Sequence, residues 1–356
     1  MRTRMKVAVA YNDDAHLKGH LNPTEMIGER EVIETAREVI DTLAGDHICH
    51  LLPVAGSLSD ATSSLFRFGP DVVINLCEGA FGNTRFESNI SLLFDMLGLA
   101  HTGCDAIASR ICQDKGLLKE LLADAAVPTP EGFSSDPGTS DAEFLECFGR
   151  ILGTARAIVK PSREDAGLGI DRGSVVASAS VALERARAIE SRFQQPALVE
   201  RFVGGGELNQ SIYWNTVGAV LLPPGEVIFA DALSSEERIV GWEAKWDEGS
   251  PADLATRNRT PAEISPGARV RLQSICRRTA SMLGLSSYCR FDVREDAEGA
   301  MFLIDVNPNP DIGQGSGFRK ALAAAGIGFR DFLNELMIAA VSRAHKKPSP
   351  TPLALG

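Results

Sequence analysis

Three observations predict an α/β protein built in successive units. Strands and helices alternate through the first hundred residues, a smaller strand–loop–strand–helix–strand unit follows, and two apolar strands near the end are joined by a turn-rich link. "KVAVAY", "ICHLLPV" and "DVVINL" are short apolar runs of the kind that become buried strands. "EREVIETAREVIDTL" and "RFESNISLLFDMLGL" carry helical periodicity between and after them, which predicts a parallel sheet with helices against it. The helix "QDKGLLKELLADAA" is stopped by the prolines of "VPTPEGF", which begin an extended segment, and a lobe boundary is expected near residue 112.

The middle reads as strand "RAIVKPS", loop "REDAGLGIDRG", strand "SVVAS", helix "VALERARAIESRF" and strand "ALVERFV", a second and smaller α+β unit. From Gly206 the strands lengthen ("ELNQSIYW", "AVLLPPGEVIF"), followed by a polar loop "EAKWDEGSPADLATRNRTP" and the helix "PGARVRLQSICRRTASMLGL". "SYCRFDVRED" and "GAMFLIDVN" flank "DAEG", which predicts a hairpin, and the tail "HKKPSPTPLALG" is expected to fray. The resulting expected units are 1–112, 113–203 and 204–345, with a flexible tail at 346–356.

Composition narrows the function. A 356-residue chain that is 44% hydrophobic can bury real cores, so disorder is not the expectation. A formal net charge of -11 argues against non-specific nucleic-acid binding and against anionic membranes, and favours small-molecule chemistry. No apolar run approaches the roughly 20 residues that span a bilayer, and "MRTRMKVAVAY" reads as a first strand instead of a signal peptide. The seven cysteines are scattered and never form CxxC, so they read as buried thiols in a reducing compartment, and the protein is expected to be soluble and cytoplasmic.

The chemistry concentrates in "MFLIDVNPNPDIGQGSGF", where Asp305 and Asn307 sit two apart on a strand and so share a face. On the partner strand Arg290 and Asp292 do the same, and antiparallel pairing would bring all four onto one surface. Three oxygen donors without a nearby His or Cys suit magnesium better than zinc. The plainer alternative is a buried salt bridge of Arg290 with Asp292 or Asp305. Lys115 opens a helix, and Lys160 ends a strand beside a loop holding Gly167 and Gly169, an arrangement that can hold phosphate oxygens, although either lysine could simply be solvated. "LVERFVGGGEL" supplies Glu200, Phe202, Val203 and Glu207, an order suited to an adenine edge, its ring face and a ribose, or equally a turn with surface acids. "GQGSGF" does not open a βα unit, which argues against a dinucleotide fingerprint, and "HICH" and "HLKGH" read as solvated histidines.

Taken in order, "CQDKGLLKELLADAAVPTP", "AIVKPSREDAGLGI", "LVERFVGGGEL", "EAKW…TPAEI" and "RFDVREDAEGAMFLIDVNPNPDI" resemble the D-alanine–D-alanine ligase branch of the ATP-grasp superfamily, from about Val7 to about Leu336. The resemblance implies an ATP-grasp fold in three lobes: an N-terminal α/β lobe, a small central α+β lobe and a C-terminal mixed-sheet lobe. It implies that Lys115 and Lys160 bind ATP phosphates, and that Glu200 and the Val203 backbone meet adenine, with Phe202 on the ring and Glu207 on the ribose. Asp292, Asp305 and Asn307 would hold one or two Mg2+ ions, for which Mn2+ can stand in. Arg290 would stabilise a tetrahedral intermediate, Lys245 would reach the γ-phosphate, and Ser316 would hold the acceptor's carboxylate.

The implied reaction is phosphorylation of a carboxylate by ATP and capture of the acyl phosphate by an amine. A ring-closing ligase and a nucleotide-binding pseudoenzyme are the alternatives. The expected partners are small-molecule carboxylate and amine substrates, with a homodimer left open.

Departures from the family's pattern are confined to the substrate side. Ala166 and Gly167 stand where its phosphate loop carries serines, and Trp246 follows Lys245 in place of tyrosine. Glu25, Glu29 or Glu31 could supply its first-loop glutamate. Glu78 stands where it has histidine, and Asp311 where it has glycine. These changes imply a substrate other than two D-alanines, contacting the segment 12–31 and the loop around Glu78, Arg85 and Glu87.

Overall fold

The computed structural model describes residues 4–13, 23–165, 167–247 and 249–345, with backbone only for 23–29 and 246. The expected tail, "HLKGH" and Ala166 lie outside the described residues.

The N-terminal layer runs β1 (Lys6–Asn12), α1 (Pro23–Leu43), β2 (Ile48–Val54), α2 (Leu58–Phe68), β3 (Val72–Asn75) and α3 (Glu87–Met96). Its strands form a parallel sheet ordered β2-β1-β3. Alternation along β1 sends Val7, Val9 and Tyr11 to a core with Val32, Ala36 and Val39 of α1, while Ala8 and Ala10 face Leu65 of α2 and Phe94 of α3. Both faces are covered, which is why these strands read as unbroken apolar runs. The helix α2 is an addition to the elements expected from the sequence; Leu65 and Ala61 bury its inner face and Gly69 ends it at φ 60°.

Two helices, α4 (Ala106–Gln113) and α5 (Lys115–Asp124), lead to the middle unit, and Asp114 between them caps α5 through the Leu117 N–H. That unit contains β4 (Gly132–Ser135), α6 (Asp141–Ile151), β5 (Ala157–Pro161), β6 (Val175–Val176), α7 (Ala179–Phe193) and β7 (Ala197–Arg201), with an antiparallel sheet ordered β4-β7-β5-β6. Phe144 and Phe148 of α6 and Ala182, Ala186 and Ile189 of α7 pack on Ala157, Val159 and Val199.

The last unit contains β8 (Glu207–Trp214), β9 (Ala219–Leu221), β10 (Gly225–Phe229), α8 (Trp242–Trp246), α9 (Pro251–Leu254), β11 (Thr256–Arg259), α10 (Pro266–Leu283), β12 (Tyr288–Glu295), β13 (Met301–Asn307), α11 (Gly317–Ala324) and α12 (Phe329–Ala344). Its sheet is ordered β11-β10-β8-β12-β13, with β9 beside β8. Two expectations are corrected here. The run "AVLLPPGEVIF" is two strands, because Pro223 and Pro224 cannot donate to a ladder. The segment expected as a polar loop holds α8, α9 and the edge strand β11; Ser250 caps α9, with Pro251 at its first turn. Phe318 of α11 and Phe332, Leu336 and Met337 of α12 share a core with Val7, Val9 and Tyr11, so the first and last units are joined through apolar packing.

Candidate active site

The β12–β13 hairpin sets the register of the candidate site. Arg290 is opposite Asn307 and Asp292 opposite Asp305; on the other side of β12, Arg290 faces Ser211 and Asp292 faces Asn209. Two rows of polar residues thus cross three strands. The sequence alone does not single out Asn209 and Ser211, although Glu207, Asn209 and Ser211 alternate on one face of β8.

Within these rows Arg290 grips Asp292 through Nε–H to Oδ1 at 2.9 Å and Nη2–H to Oδ2 at 3.0 Å, a two-bond pair. The plainer reading of Arg290 is therefore present in the structure, and it also holds the guanidinium on the same face as Asp305 and Asn307. Burial pushes the Asp305 carboxyl up, but Lys115 and Lys160 outweigh it and hold the group below its ordinary range. Asp305 accepts from the Val306 N–H at 3.0 Å and Asn307 Oδ1 from the Asn309 N–H at 3.0 Å. Each of these oxygens keeps a second lone pair, so the donor set of two carboxylates and one amide suits a hard cation. No group of three His, Cys, Asp or Glu side chains in metal-binding arrangement occurs among the described residues.

The lysines converge on these acids from α5 and β5. Lys115 Nζ donates to Asp165 Oδ1 at 2.7 Å and lies 3.6 Å from Asp305 Oδ2. Lys160 Nζ is 2.7 Å from Glu200 Oε1, and Lys119 Nζ is 2.5 Å from Glu200 Oε2. Lys119 is absent from the residues the sequence points to, although its spacing of four from Lys115 puts both on one face of α5. Glu200 is buried, and the two ammoniums hold its carboxyl below its ordinary range against the effect of burial. Its carboxylate is thus committed to the lysines in this structure.

Further along the same cleft, Arg294 lies over the Phe202 ring at 5.3 Å and pairs with Glu207 at 3.3 Å. It also donates to the Gly205 carbonyl at 3.0 Å, so one buried arginine organises the glycine run, a role that no local motif signals. Val203 is buried beside Phe202 in sequence. Lys245 on α8 is open to the cleft, with Arg290, Asp292, Glu207 and Asp305 as charged neighbours. Ser316 caps α11, accepting from the Arg319 N–H at 3.1 Å.

On the substrate side, Glu78 and Asp311 line one pocket with Val32, Thr35 and Tyr288. Of the three first-loop glutamates, only Glu31 has a described side chain; burial raises its carboxyl most, and the charges of Asp311 and Glu34 raise it further. Glu87 is buried at the start of α3, where Gln113 Nε2 donates to it at 2.9 Å. The "HICH" histidines are structural, with His47 Nε2 2.9 Å from Asn334 Oδ1 and His50 Nε2 2.9 Å from Ser64 Oγ.

The three-sheet arrangement is that of an ATP-grasp protein. It is shared with the crystal structure of D-alanine–D-alanine ligase from Bacillus anthracis complexed with ATP, at a TM-score of 0.74 over 97% of this chain and 100% of that one, with 18% identity. The model of the D-ala D-ala ligase C-terminus family matches residues 148–338, and the chain belongs to that family. Among its relatives, D-alanine–D-alanine ligase A of Mesorhizobium japonicum is 28% identical over 77% of this chain and 72% of that protein. The vancomycin/teicoplanin A-type resistance protein VanA of Enterococcus faecium is 26% identical over 76% and 73%. This protein is accordingly an ATP-dependent ligase of the D-alanine–D-alanine ligase type.

Proposed function

We propose that the protein joins a carboxylate to an amine by way of an acyl phosphate, forming ADP and phosphate, and that its substrates are not two D-alanines. The observation that carries the first part is the Arg290, Asp292, Asp305 and Asn307 quartet with Lys115 3.6 Å from Asp305. ATP lies between the units 113–203 and 204–345. Lys115 and Lys160 neutralise its phosphates, and Glu200, Phe202, Val203 and Glu207 frame the nucleoside. Arg290 stabilises the negative charge that develops when the amine attacks, Lys245 approaches the transferred phosphoryl group, and Ser316 holds the acceptor. Asp292, Asp305 and Asn307 would hold Mg2+, or Mn2+ in its place, which would supply neutralisation of phosphate charge. We place the reaction in the cytoplasm, where ATP is available; among the described residues no helix is long and apolar enough to cross a membrane.

The second part rests on the pocket next to Arg290. Glu78 and Asp311 bring carboxyls to it, and desolvation followed by mutual repulsion with neighbouring acids pushes Glu78 up. Gly167 offers no hydroxyl, and neither does alanine at 166. A site selects strongly against a partner whose groups it cannot match. The test is ADP formation with D-alanine beside a panel of other amino acids and dipeptides. Poor turnover of D-alanine and efficient turnover of another member is the expected result. A kcat/KM for D-alanyl-D-alanine formation above about 10⁴ M⁻¹s⁻¹ would overturn the substrate proposal and leave the ligase chemistry standing.

A further inference from the structure

We infer that Arg85, Arg110 and Arg163 form an anion-binding subsite at the edge of the cleft, and that one substrate is an amino acid or small peptide carrying an acidic group besides any that reacts. The inference rests on the ligase reading above and names a substrate class for it.

The three arginines line one pocket together with Gln113, Asp114 and Asp165. They come from three separate places: Arg85 from the turn before α3, Arg110 from α4, and Arg163 from the loop after β5. Both acids of the pocket are already matched. Asp114 Oδ2 accepts from Arg163 Nε at 2.8 Å, and Asp165 Oδ1 from Lys115 Nζ at 2.7 Å. Arg85 and Arg110 have no acidic side-chain partner among the described residues. The chain's formal net charge is -11, so acids to pair with them are not scarce. Both side chains are exposed at the pocket's rim, free to turn toward an incoming anion, and their planar forks suit a carboxylate.

A second observation comes from Gln113 on the same wall. Its Nε2 donates to the Thr84 carbonyl at 3.0 Å and to Glu87 Oε2 at 2.9 Å, which leaves its buried Oε1 without any donor. An unmatched buried acceptor carries a free-energy cost. An N–H or O–H next to the ligand's acidic group removes that cost, as an ammonium or amide does beside the carboxylate of an amino acid or peptide.

The pocket adjoins the reacting centre through one lysine. Asp165 on its wall holds Lys115, and Lys115 lies 3.6 Å from Asp305. A substrate anchored at Arg85 and Arg110 is therefore next to the lysine that the ligase reading assigns to the phosphates.

The experiment uses the full-length protein, Arg85→Ala, Arg110→Ala and the double variant. The probes are D- and L-glutamate, D- and L-aspartate, their alanyl dipeptides, and the all-alanine counterparts. ADP release gives turnover, and calorimetry with a non-hydrolysable ATP analogue present gives binding. The expected result is a preference for acidic probes in the wild type. In the double variant we expect their KM or Kd to rise at least about 10-fold, as the loss of a charge-assisted bond predicts. The ATP KM, the melting temperature and the weak response to alanine probes should stay unchanged, and Arg110→Lys should recover part of the affinity. Wild-type indifference to the acidic group, absence of acidic-probe binding, or a change in ATP KM alone would overturn the subsite. Acidic probes that bind through these arginines without any ADP release would retain the subsite and overturn the ligase reading.

Discussion

Asp292 and Asp305 face one another as direct partners across the β12–β13 hairpin, yet each is attached to a different cation: Arg290 grips the first through two bonds, and Lys115 lies 3.6 Å from the second. Two carboxylates this close repel unless positive charge is held between or beside them. The arrangement is suited to a reaction in which phosphate and metal charges arrive together.

The first prediction follows from that pairing. Asp305→Asn and Asn307→Ala should each lower turnover by at least about 10²-fold, because the lost interaction acts on charge that develops during phosphoryl transfer. Far-UV circular dichroism should be unchanged. Wild-type rates at limiting magnesium in either variant would remove these residues from the metal site.

Glu200 tests whether the lysine pair is structural as well as functional. Glu200→Ala leaves Lys119 and Lys160 buried without their shared acid, so the fold should lose roughly 3–5 kcal/mol. Lys160→Ala should instead weaken ATP binding and turnover together, since that charge acts on bound phosphate in ground and transition states alike. Chemical denaturation and calorimetric ATP titration separate the two outcomes. Equal stability of Glu200→Ala and wild type would contradict the buried triad.

A pH experiment isolates Glu87. Its carboxyl is pushed up to about 8 from the usual 4.5, first by burial and then by Asp165 and Glu78. Between those values the folded protein keeps a proton that the unfolded chain releases, so stability falls as pH rises through this window and levels off above it. Glu87→Gln removes the titration and retains an oxygen for Gln113. The variant should match wild type near pH 4.5 and exceed it by on the order of a few kcal/mol once the pH passes about 8. Parallel stability curves for the two proteins would show that this carboxyl does not titrate in the fold.

Ser316 has a structural role that can be split from the proposed one. Ser316→Asn keeps a good cap on α11, whereas Ser316→Ala loses about 1 kcal/mol of helix stability. If the hydroxyl also holds the acceptor, both variants should raise the acceptor KM while only the alanine lowers the melting temperature. An unchanged acceptor KM in both would leave Ser316 as a cap alone.

Much of this is legible in the sequence where local pattern determines the outcome. The hairpin around "DAEG" is readable from period-two alternation and turn composition, and it determines which of Arg290, Asp292, Asp305 and Asn307 meet. The helix α2 is not, because "LSDATSS" is rich in residues that favour caps and turns, and its helical state depends on packing against the first sheet. Nor are α8, α9 and β11, which are too short and polar to show a period. Lys119 and Arg294 gain their roles from partners 81 and 87 positions away in Glu200 and Glu207. The pocket of Arg85, Arg110 and Arg163 likewise exists only once three distant segments meet.

The loop after β5 meets the start of α8 backbone to backbone. The Ile170 carbonyl accepts from the Trp242 N–H at 3.4 Å, and a Cβ on Gly167 would come within 2.9 Å of the Gly241 carbonyl carbon. Gly167 also sits at φ +78°, which side chains rarely tolerate. A seam made of bare main chain leaves little room for water, which on the proposed acyl-phosphate route would compete with the amine for the activated carboxylate. Bulk introduced at either glycine would prop the seam apart and divert ATP into idle hydrolysis, so the efficiency with which nucleotide is converted into product would depend on two residues that have no functional group to offer.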